Sequence, residues 1–212
     1  MRARPSATLV LAVALLFGAV FASCGGSSPS KPAGETIVAS NPTPKPGTQD
    51  KSWAGKDPAP AFPTDLTWFN VEKPLQLSQL KGKVVVLDFW TLGCINCQHI
   101  IPDLKQLEAE FGDALVVIGV HSGKYSTEHD DESIREAVLR YGLHHPVAND
   151  PDFAFWKAYG ANAWPTVVIV DPAGNAVGSH AGEGIYPLFQ PIVASLVKEF
   201  AAKNLTTARR SP

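Results

Sequence analysis

The residues best suited to chemistry are two cysteines three positions apart, Cys94 and Cys97. Positions three apart share one face of a helix, so the two sulfur atoms can meet within a single turn. The pair follows an apolar run over residues 83–90 and begins an amphipathic stretch. Free N–H groups at the start of a helix stabilise a thiolate there. The pattern predicts thiol–disulfide exchange, with Cys94 as the nucleophile and Cys97 as the buried thiol that resolves a mixed disulfide.

Two other interpretations of this cysteine pair stay open at the level of sequence. The pair could be half of a zinc site, which would need two further ligands. No second pair with this spacing occurs in the sequence, but histidines at positions 99, 121, 144 and 145 could supply the missing ligands. The pair could also be a structural disulfide, because an oxidising compartment would join two cysteines that lie so close together.

The hydrophobic pattern around the pair alternates between strands and helices. Continuous apolar runs predict buried strands, and apolar residues at intervals of three and four predict amphipathic helices. The strands are predicted at residues 83–90, 114–120, 166–170 and 176–180, with a shorter one at 145–148. The helices are predicted at residues 100–111, 131–141, 152–159 and 191–203. This order predicts an α/β fold with a central mixed sheet flanked by helices.

The first residues have the composition of an export signal. Arg2 and Arg4 precede an apolar run over residues 7–22, which is typical of a secretory signal. As a helix this run would be about 24 Å long, shorter than the ~30 Å hydrocarbon core of a bilayer. Residues 21–25 resemble a bacterial lipobox, so we expect residues 1–23 to be a signal peptide and Cys24 to be lipidated. An ordinary cleaved signal and an uncleaved anchor are the alternatives.

The rest of the chain divides into a tether, one domain and a short tail. Residues 24–60 are rich in Gly, Ser, Pro and Thr, and such a stretch buries too little surface to offset its ordering entropy. We therefore predict a tether at residues 24–60, a folded domain at 61–205 and a disordered tail at 206–212. The net charge of −2 and the lack of long basic runs argue against nucleic acid as a partner.

Three motifs resemble the thioredoxin-like superfamily. These are the apolar strand ending at Trp90, the Cys-x-x-Cys pair with Pro102 five residues after it, and the segment Trp164–Thr166 at the start of a later strand. The N-terminal extension and the helix inserted after the second core strand are similar to the membrane-tethered TlpA/ResA-type thiol-disulfide oxidoreductases. Residues 90–99, together with residues 119–122 and 145–146, resemble the thioredoxin-like domain found beside NHL repeats.

The resemblance also implies roles for individual residues. Asp88 would be the buried acid that relays a proton for Cys97. Trp164 and Pro165 would be joined by a cis peptide bond, and together with Thr166 they would bind the substrate. His121 and Lys124 follow the second core strand, at the edge where open α/β sheets often contact ligands. They are further candidates for the site, although both could be ordinary solvated loop residues.

These observations predict an exported, lipid-anchored thiol-disulfide oxidoreductase. Its clients would be exported proteins that contain cysteine, such as an apocytochrome or a folding client, and a membrane redox protein would reset the pair. Exchange between sulfur atoms needs no organic cofactor and no metal ion. One alternative is a copper- or zinc-binding protein that uses the cysteine pair and a histidine. Another is a thiol peroxidase on the same fold.

Overall fold

Seven strands form one mixed sheet in the computed structural model, which describes residues 52–203. The strands are β1 (Asp57–Pro58), β2 (Thr67–Phe69), β3 (Val84–Trp90), β4 (Leu115–His121), β5 (Val147–Asn149), β6 (Thr166–Val170) and β7 (Asn175–Ala181). Their order across the sheet is β1-β7-β6-β3-β4-β5-β2. The α-helices in this part of the chain are α1 (Ile95–Phe111), α2 (Asp131–Arg140), α3 (Ala154–Ala158) and α4 (Ile185–Ala202).

The central strand of the sheet is β3, and every one of its seven residues is buried. It runs parallel to β4 and antiparallel to β6. Burial on both faces explains why its sequence is almost continuously apolar rather than alternating. The predicted α/β fold with a mixed sheet is confirmed, and the predicted strands at 83–90, 114–120 and 166–170 match β3, β4 and β6 to within one residue at each end.

Helices cover both faces of the sheet. On one face α1 and α4 pack against alternate residues of β3, which include Val84 and Val86. On the other face Phe155 of α3 joins Val85, Leu87 and Phe89 in a second cluster. The helix inserted after β4, α2, packs against Trp90 and Cys97 in a third cluster. Because side chains alternate along a strand, Asp88 belongs to the β3 face that α1 and α4 cover.

The structure differs from the sequence-based expectation at both ends of the described region. The predicted start of the last helix at Pro191 is wrong, because α4 already begins at Ile185. Ile185 and Phe189 are buried against the sheet, so this packing extends the helix past the proline, which cannot donate a backbone hydrogen bond. Residues 52–60, assigned above to the tether, include β1, which pairs with β7.

Several predictions concern residues outside the described range. The signal peptide, Cys24 and most of the tether precede residue 52, and the tail at 206–212 follows residue 203. Between residues 52 and 203, no helix has both the length and the apolar character needed to cross a membrane.

Candidate active site

The two cysteines lie where β3 leads into α1. Cys94 is the N-cap residue of α1 and is partly exposed, whereas Cys97 in the first turn is only 2% exposed. Their sulfur atoms are at disulfide-bonding distance, and their Cα atoms are 5.3 Å apart. The Cys97 N–H donates a hydrogen bond to the Cys94 sulfur at 3.2 Å. Cys94 is therefore the sulfur that a partner can reach, at a helix end that stabilises negative charge.

Asp88 is a buried acid in the middle of the sheet. The residue is 5% exposed, and its Oδ1 has no hydrogen-bond partner among the described residues. Burial disfavours the charged form and raises the pKa of Asp88 to about 8. An aspartate of this kind is mostly protonated at neutral pH. It lies on the sheet face covered by α1, the helix that begins with the cysteine pair.

The segment Trp164–Thr166 lies at the same end of the sheet as the cysteine pair. The peptide bond between Trp164 and Pro165 is cis, as the resemblance implied. Thr166 pairs with Phe89 near the end of β3. Trp164 packs against the same apolar cluster as Cys94, and its indole N–H donates to the Ser122 carbonyl at 2.9 Å. The structure thus brings the predicted substrate-binding segment and the predicted nucleophile to one apolar cluster.

His121 lies at the end of β4 and is fully buried, not solvated. Its Nε2 accepts a hydrogen bond from the Leu92 N–H at 3.2 Å, which requires that nitrogen to carry no proton. The pKa of His121 is lowered to about 4, mainly because burial disfavours the charged ring. The ring is therefore neutral at neutral pH. His121 therefore holds the loop before Cys94. Lys124, by contrast, is exposed, and its ammonium group lies over the Tyr125 ring.

Two further side chains hold the same loop, and neither was predicted from the sequence. The Tyr141 hydroxyl donates to the Leu92 carbonyl at 2.9 Å. The Glu128 Oε2 accepts a hydrogen bond from the Thr91 hydroxyl at 2.9 Å. Glu128 is 37 residues and Tyr141 49 residues from its partner in the chain, so no local motif could have indicated either contact.

The alternative of a metal site gains no support from the described residues. From residue 52 to 203, no group of three or more His, Cys, Asp and Glu side chains is arranged to hold a metal ion. The His121 Nε2 accepts a hydrogen bond from the Leu92 N–H, so its lone pair is already engaged within the protein.

Comparisons with known proteins agree with this geometry. A family model described as thioredoxin-like matches residues 82–176. The thiol-disulfide oxidoreductase ResA of Bacillus thuringiensis is 30% identical over 135 residues, which cover 64% of this chain and 73% of that protein. This chain belongs to the thioredoxin-like family of thiol-disulfide oxidoreductases. The predicted family and the predicted class of enzyme are confirmed.

Two longer relatives match this thioredoxin-like chain more strongly. Protein SUPPRESSOR OF QUENCHING 1 of Arabidopsis thaliana is 45% identical over 155 residues, or 72% of this chain. NHL repeat-containing protein 2 of Gallus gallus is 50% identical over 128 residues, or 59% of this chain. The chain spans only 15% and 18% of the length of these two proteins. The match to NHL repeat-containing protein 2 confirms the predicted similarity to a domain found beside NHL repeats.

Solved structures show the same fold. A crystal structure of a thioredoxin-like superfamily protein matches with a TM-score of 0.62 and 26% identity, covering 67% of this chain and 97% of that chain. The crystal structure of an exposed lipoprotein thioredoxin from Streptococcus pneumoniae matches with a TM-score of 0.50 and 30% identity, covering 57% of this chain and 91% of that one.

Proposed function

We propose that this protein is an exported, membrane-tethered enzyme that exchanges disulfides with exported, cysteine-containing proteins. The observation that carries the proposal is the arrangement of the pair, with Cys94 accessible at the helix N-terminus and Cys97 buried behind it. Only one sulfur can then meet a protein substrate, and the other can act only within the enzyme. This arrangement supports a ping-pong exchange in which Cys94 bonds to the substrate and Cys97 releases it.

The exchange runs through one mixed disulfide. When the enzyme is reduced, the Cys94 thiolate attacks a substrate disulfide, a Cys94–substrate bond forms, and the leaving sulfur departs as a thiolate. Cys97 then loses its proton and attacks the Cys94 sulfur. The Cys94–Cys97 bond forms, and the second substrate sulfur leaves as a thiolate. The enzyme has lost two electrons and the substrate disulfide has gained them; the reverse sequence forms a disulfide in the substrate.

Asp88 is the proposed proton carrier for Cys97. An ordinary aspartate is ionised at neutral pH and too weak a base to take a proton from a thiol. With its pKa raised to about 8 by burial, Asp88 is close to the usual pKa of a thiol. A group whose pKa lies near the working pH is best suited to accept and donate protons. The ionised fraction of Asp88 can therefore accept the Cys97 proton, and the protonated acid can return it when the pair is reduced again.

Export and tethering are proposed from the N-terminal sequence. A basic start, an apolar run and a cysteine after two small residues precede a stretch rich in Pro, Gly and Ser. A lipid on Cys24 would anchor the chain, and the tether would hold the domain away from the membrane. A structural relative is itself described as an exposed lipoprotein. A membrane redox protein would then reset the cysteine pair after each turnover.

Reduction of insulin by the full-length protein tests the chemistry. We expect wild-type protein to reduce insulin disulfides with a thiol reductant as the electron source. Cys94→Ser should lose essentially all activity, and Cys97→Ser should accumulate mixed disulfides with the substrate. Retained activity in Cys94→Ser would overturn the assignment of the nucleophile.

Fatty-acid labelling in a bacterial host tests the anchor. The full-length protein should incorporate labelled palmitate and sediment with the membranes. Cys24→Ser should lose the label, whereas Cys94→Ser should keep it. Equal labelling of the wild-type and Cys24→Ser proteins would contradict the proposed anchor without affecting the redox chemistry.

A further inference from the structure

Glu128 brings a buried carboxylate to the loop that precedes Cys94. Its side chain lies on the short 3-10 turn at Ser126–Glu128 and is 8% exposed. The Oε2 atom accepts hydrogen bonds from the Thr91 hydroxyl at 2.9 Å and from the Tyr125 N–H at 3.1 Å. These contacts fix the carboxylate relative to the loop that precedes the nucleophile.

The other carboxylate oxygen lies against Gly93, the residue directly before Cys94. A Cβ atom at position 93 would be only 2.7 Å from the Glu128 Oε1, which is closer than side-chain atoms approach each other. Gly93 is not among the glycines with a positive φ, so its backbone alone does not demand glycine. The missing side chain therefore makes room for the carboxylate.

Glu128 is ionised where it lies. Burial by itself would raise the pKa of Glu128, but hydrogen bonds from the Tyr125 backbone and the Thr91 hydroxyl outweigh it and hold the pKa below its usual value. A buried group that accepts several hydrogen bonds keeps its charge in this way. The carboxylate is thus a permanent negative charge at neutral pH.

Among the described residues, no cation forms an ion pair with this carboxylate. His121 on β4 is neutral, and the His129 ring is hydrogen-bonded to the Gly123 carbonyl. Lys124 is exposed and directs its ammonium group over the Tyr125 ring. Burial keeps Asp88 mostly protonated. The Tyr141 hydroxyl donates to the Leu92 carbonyl rather than to Glu128. Glu128 therefore contributes an unpaired negative charge beside the loop.

We propose that Glu128 is a positioning residue that fixes the loop before Cys94 and sets the electron-donating tendency of the cysteine pair through its charge. A negative charge near Cys94 opposes the thiolate and destabilises the reduced pair relative to the disulfide. A dithiol that is less stable gives its two electrons to a substrate disulfide more readily. This inference rests on the proposed exchange function and gives that function a direction, toward reduction of clients.

The test removes the charge and keeps the shape of the side chain. Full-length Glu128→Gln and wild-type protein are equilibrated in glutathione buffers, and the oxidised fraction of the pair is measured by thiol labelling and mass spectrometry. We expect the variant to favour the dithiol about tenfold more, which corresponds to about 30 mV for a two-electron couple. We also expect the pKa of the Cys94 thiol, read from thiolate absorbance, to fall by ~1.

The control is Glu132→Gln, which removes an acid from the neighbouring helix α2. The Glu132 side chain is 72% exposed and pairs with Arg135, so solvent screens its charge. We expect Glu132→Gln to match the wild type in both measurements. A folded Glu128→Gln protein that also matches the wild type in both would overturn the proposal.

Gly93→Ala is a second variant for the case in which Glu128→Gln folds poorly. The new methyl group would displace the carboxylate while leaving its charge in the chain. We expect a smaller shift of the equilibrium in the same direction, and no shift in folded Gly93→Ala protein would count against the proposal. Insulin reduction by the wild-type protein tests the proposed function separately. If the wild type reduces insulin but neither variant shifts the dithiol–disulfide equilibrium, the proposed function stands and the inference about Glu128 is refuted.

Discussion

Asp88 and Glu128 are both buried acids near the cysteine pair, yet their protonation states are opposite. Asp88 lies in the middle of the sheet, one of its oxygens has no hydrogen-bond partner within residues 52–203, and burial raises its pKa to about 8. Glu128 is nearly as buried, but hydrogen bonds from Tyr125 and Thr91 outweigh desolvation and lower its pKa. The comparison shows that hydrogen-bond partners as well as depth decide the charge of a buried acid. One acid is suited to carry a proton and the other to hold a charge.

The largest expected effect is on stability, in Asp88→Asn. Between its unfolded pKa of 3.8 and its folded pKa of about 8, the folded protein binds a proton that the unfolded chain has lost. The free energy of unfolding therefore decreases as pH rises from about 4 to 8. Asparagine cannot ionise, so Asp88→Asn should be on the order of a few kcal/mol more stable than wild type at pH 8.

Urea unfolding of the oxidised proteins at pH 5 and pH 8 measures this effect. The matched control is Asp113→Asn, which replaces an exposed acid in the turn before β4. A wild-type protein that is equally stable at both values of pH would show that Asp88 is not the buried neutral acid described here.

Asp88→Asn should also slow the release of the mixed disulfide. Without the Asp88 carboxylate to take the Cys97 proton, we expect the resolving step to be about 30-fold slower near neutral pH, within the usual range for acid–base catalysis. Stopped-flow measurement of the decay of the mixed disulfide between pH 6 and 9 gives this rate. Glu128→Gln should keep the wild-type pH profile, because Glu128 is not proposed to move a proton. Identical pH profiles for Asp88→Asn and Glu128→Gln would contradict the different roles assigned to the two acids.

His121→Gln should change stability with the opposite dependence on pH. The folded pKa of about 4 lies below the unfolded value of 6.5, so the unfolded chain binds a proton first as pH falls. The wild type should thus lose up to about 3 kcal/mol of stability between pH 6.5 and pH 4. Glutamine can accept from the Leu92 N–H without titrating, so the variant should lose much less over this range. Parallel pH curves for the two proteins would contradict this account of His121.

The smallest expected effect is that of Glu128→Gln on stability. Because the folded pKa is lowered, the stabilisation from the ionised carboxylate is present above the unfolded pKa of 4.5 and lost as pH falls through the folded value. The variant should be about 1 kcal/mol less stable than wild type at pH 7, since its hydrogen bonds are no longer charge-assisted. Chemical unfolding at pH 7 gives this difference. A variant more stable than wild type would show that burying the charge destabilises the folded protein more than its hydrogen bonds stabilise it.

The sequence predicted the elements whose signals are local. The apolar run that became β3 and the spacing of Cys94 and Cys97 placed the pair at a strand-to-helix junction, and the structure has it there. Short edge strands such as β2 were missed, because three residues carry too little pattern to recognise. Glu128 was missed because its partner Thr91 lies in a different part of the chain. Only folding brings these residues together.

Covalent trapping tests the central claim most directly. Full-length Cys97→Ser protein is mixed with a peptide disulfide, quenched with acid, and mapped by mass spectrometry. We expect a stable adduct on Cys94, since the partly exposed sulfur attacks and position 97 no longer carries a sulfur to release the product. In the reciprocal Cys94→Ser protein, the buried Cys97 should remain unmodified over the same time. Equal labelling of Cys97, or no adduct on Cys94, would contradict the assignment of Cys94 as the nucleophile.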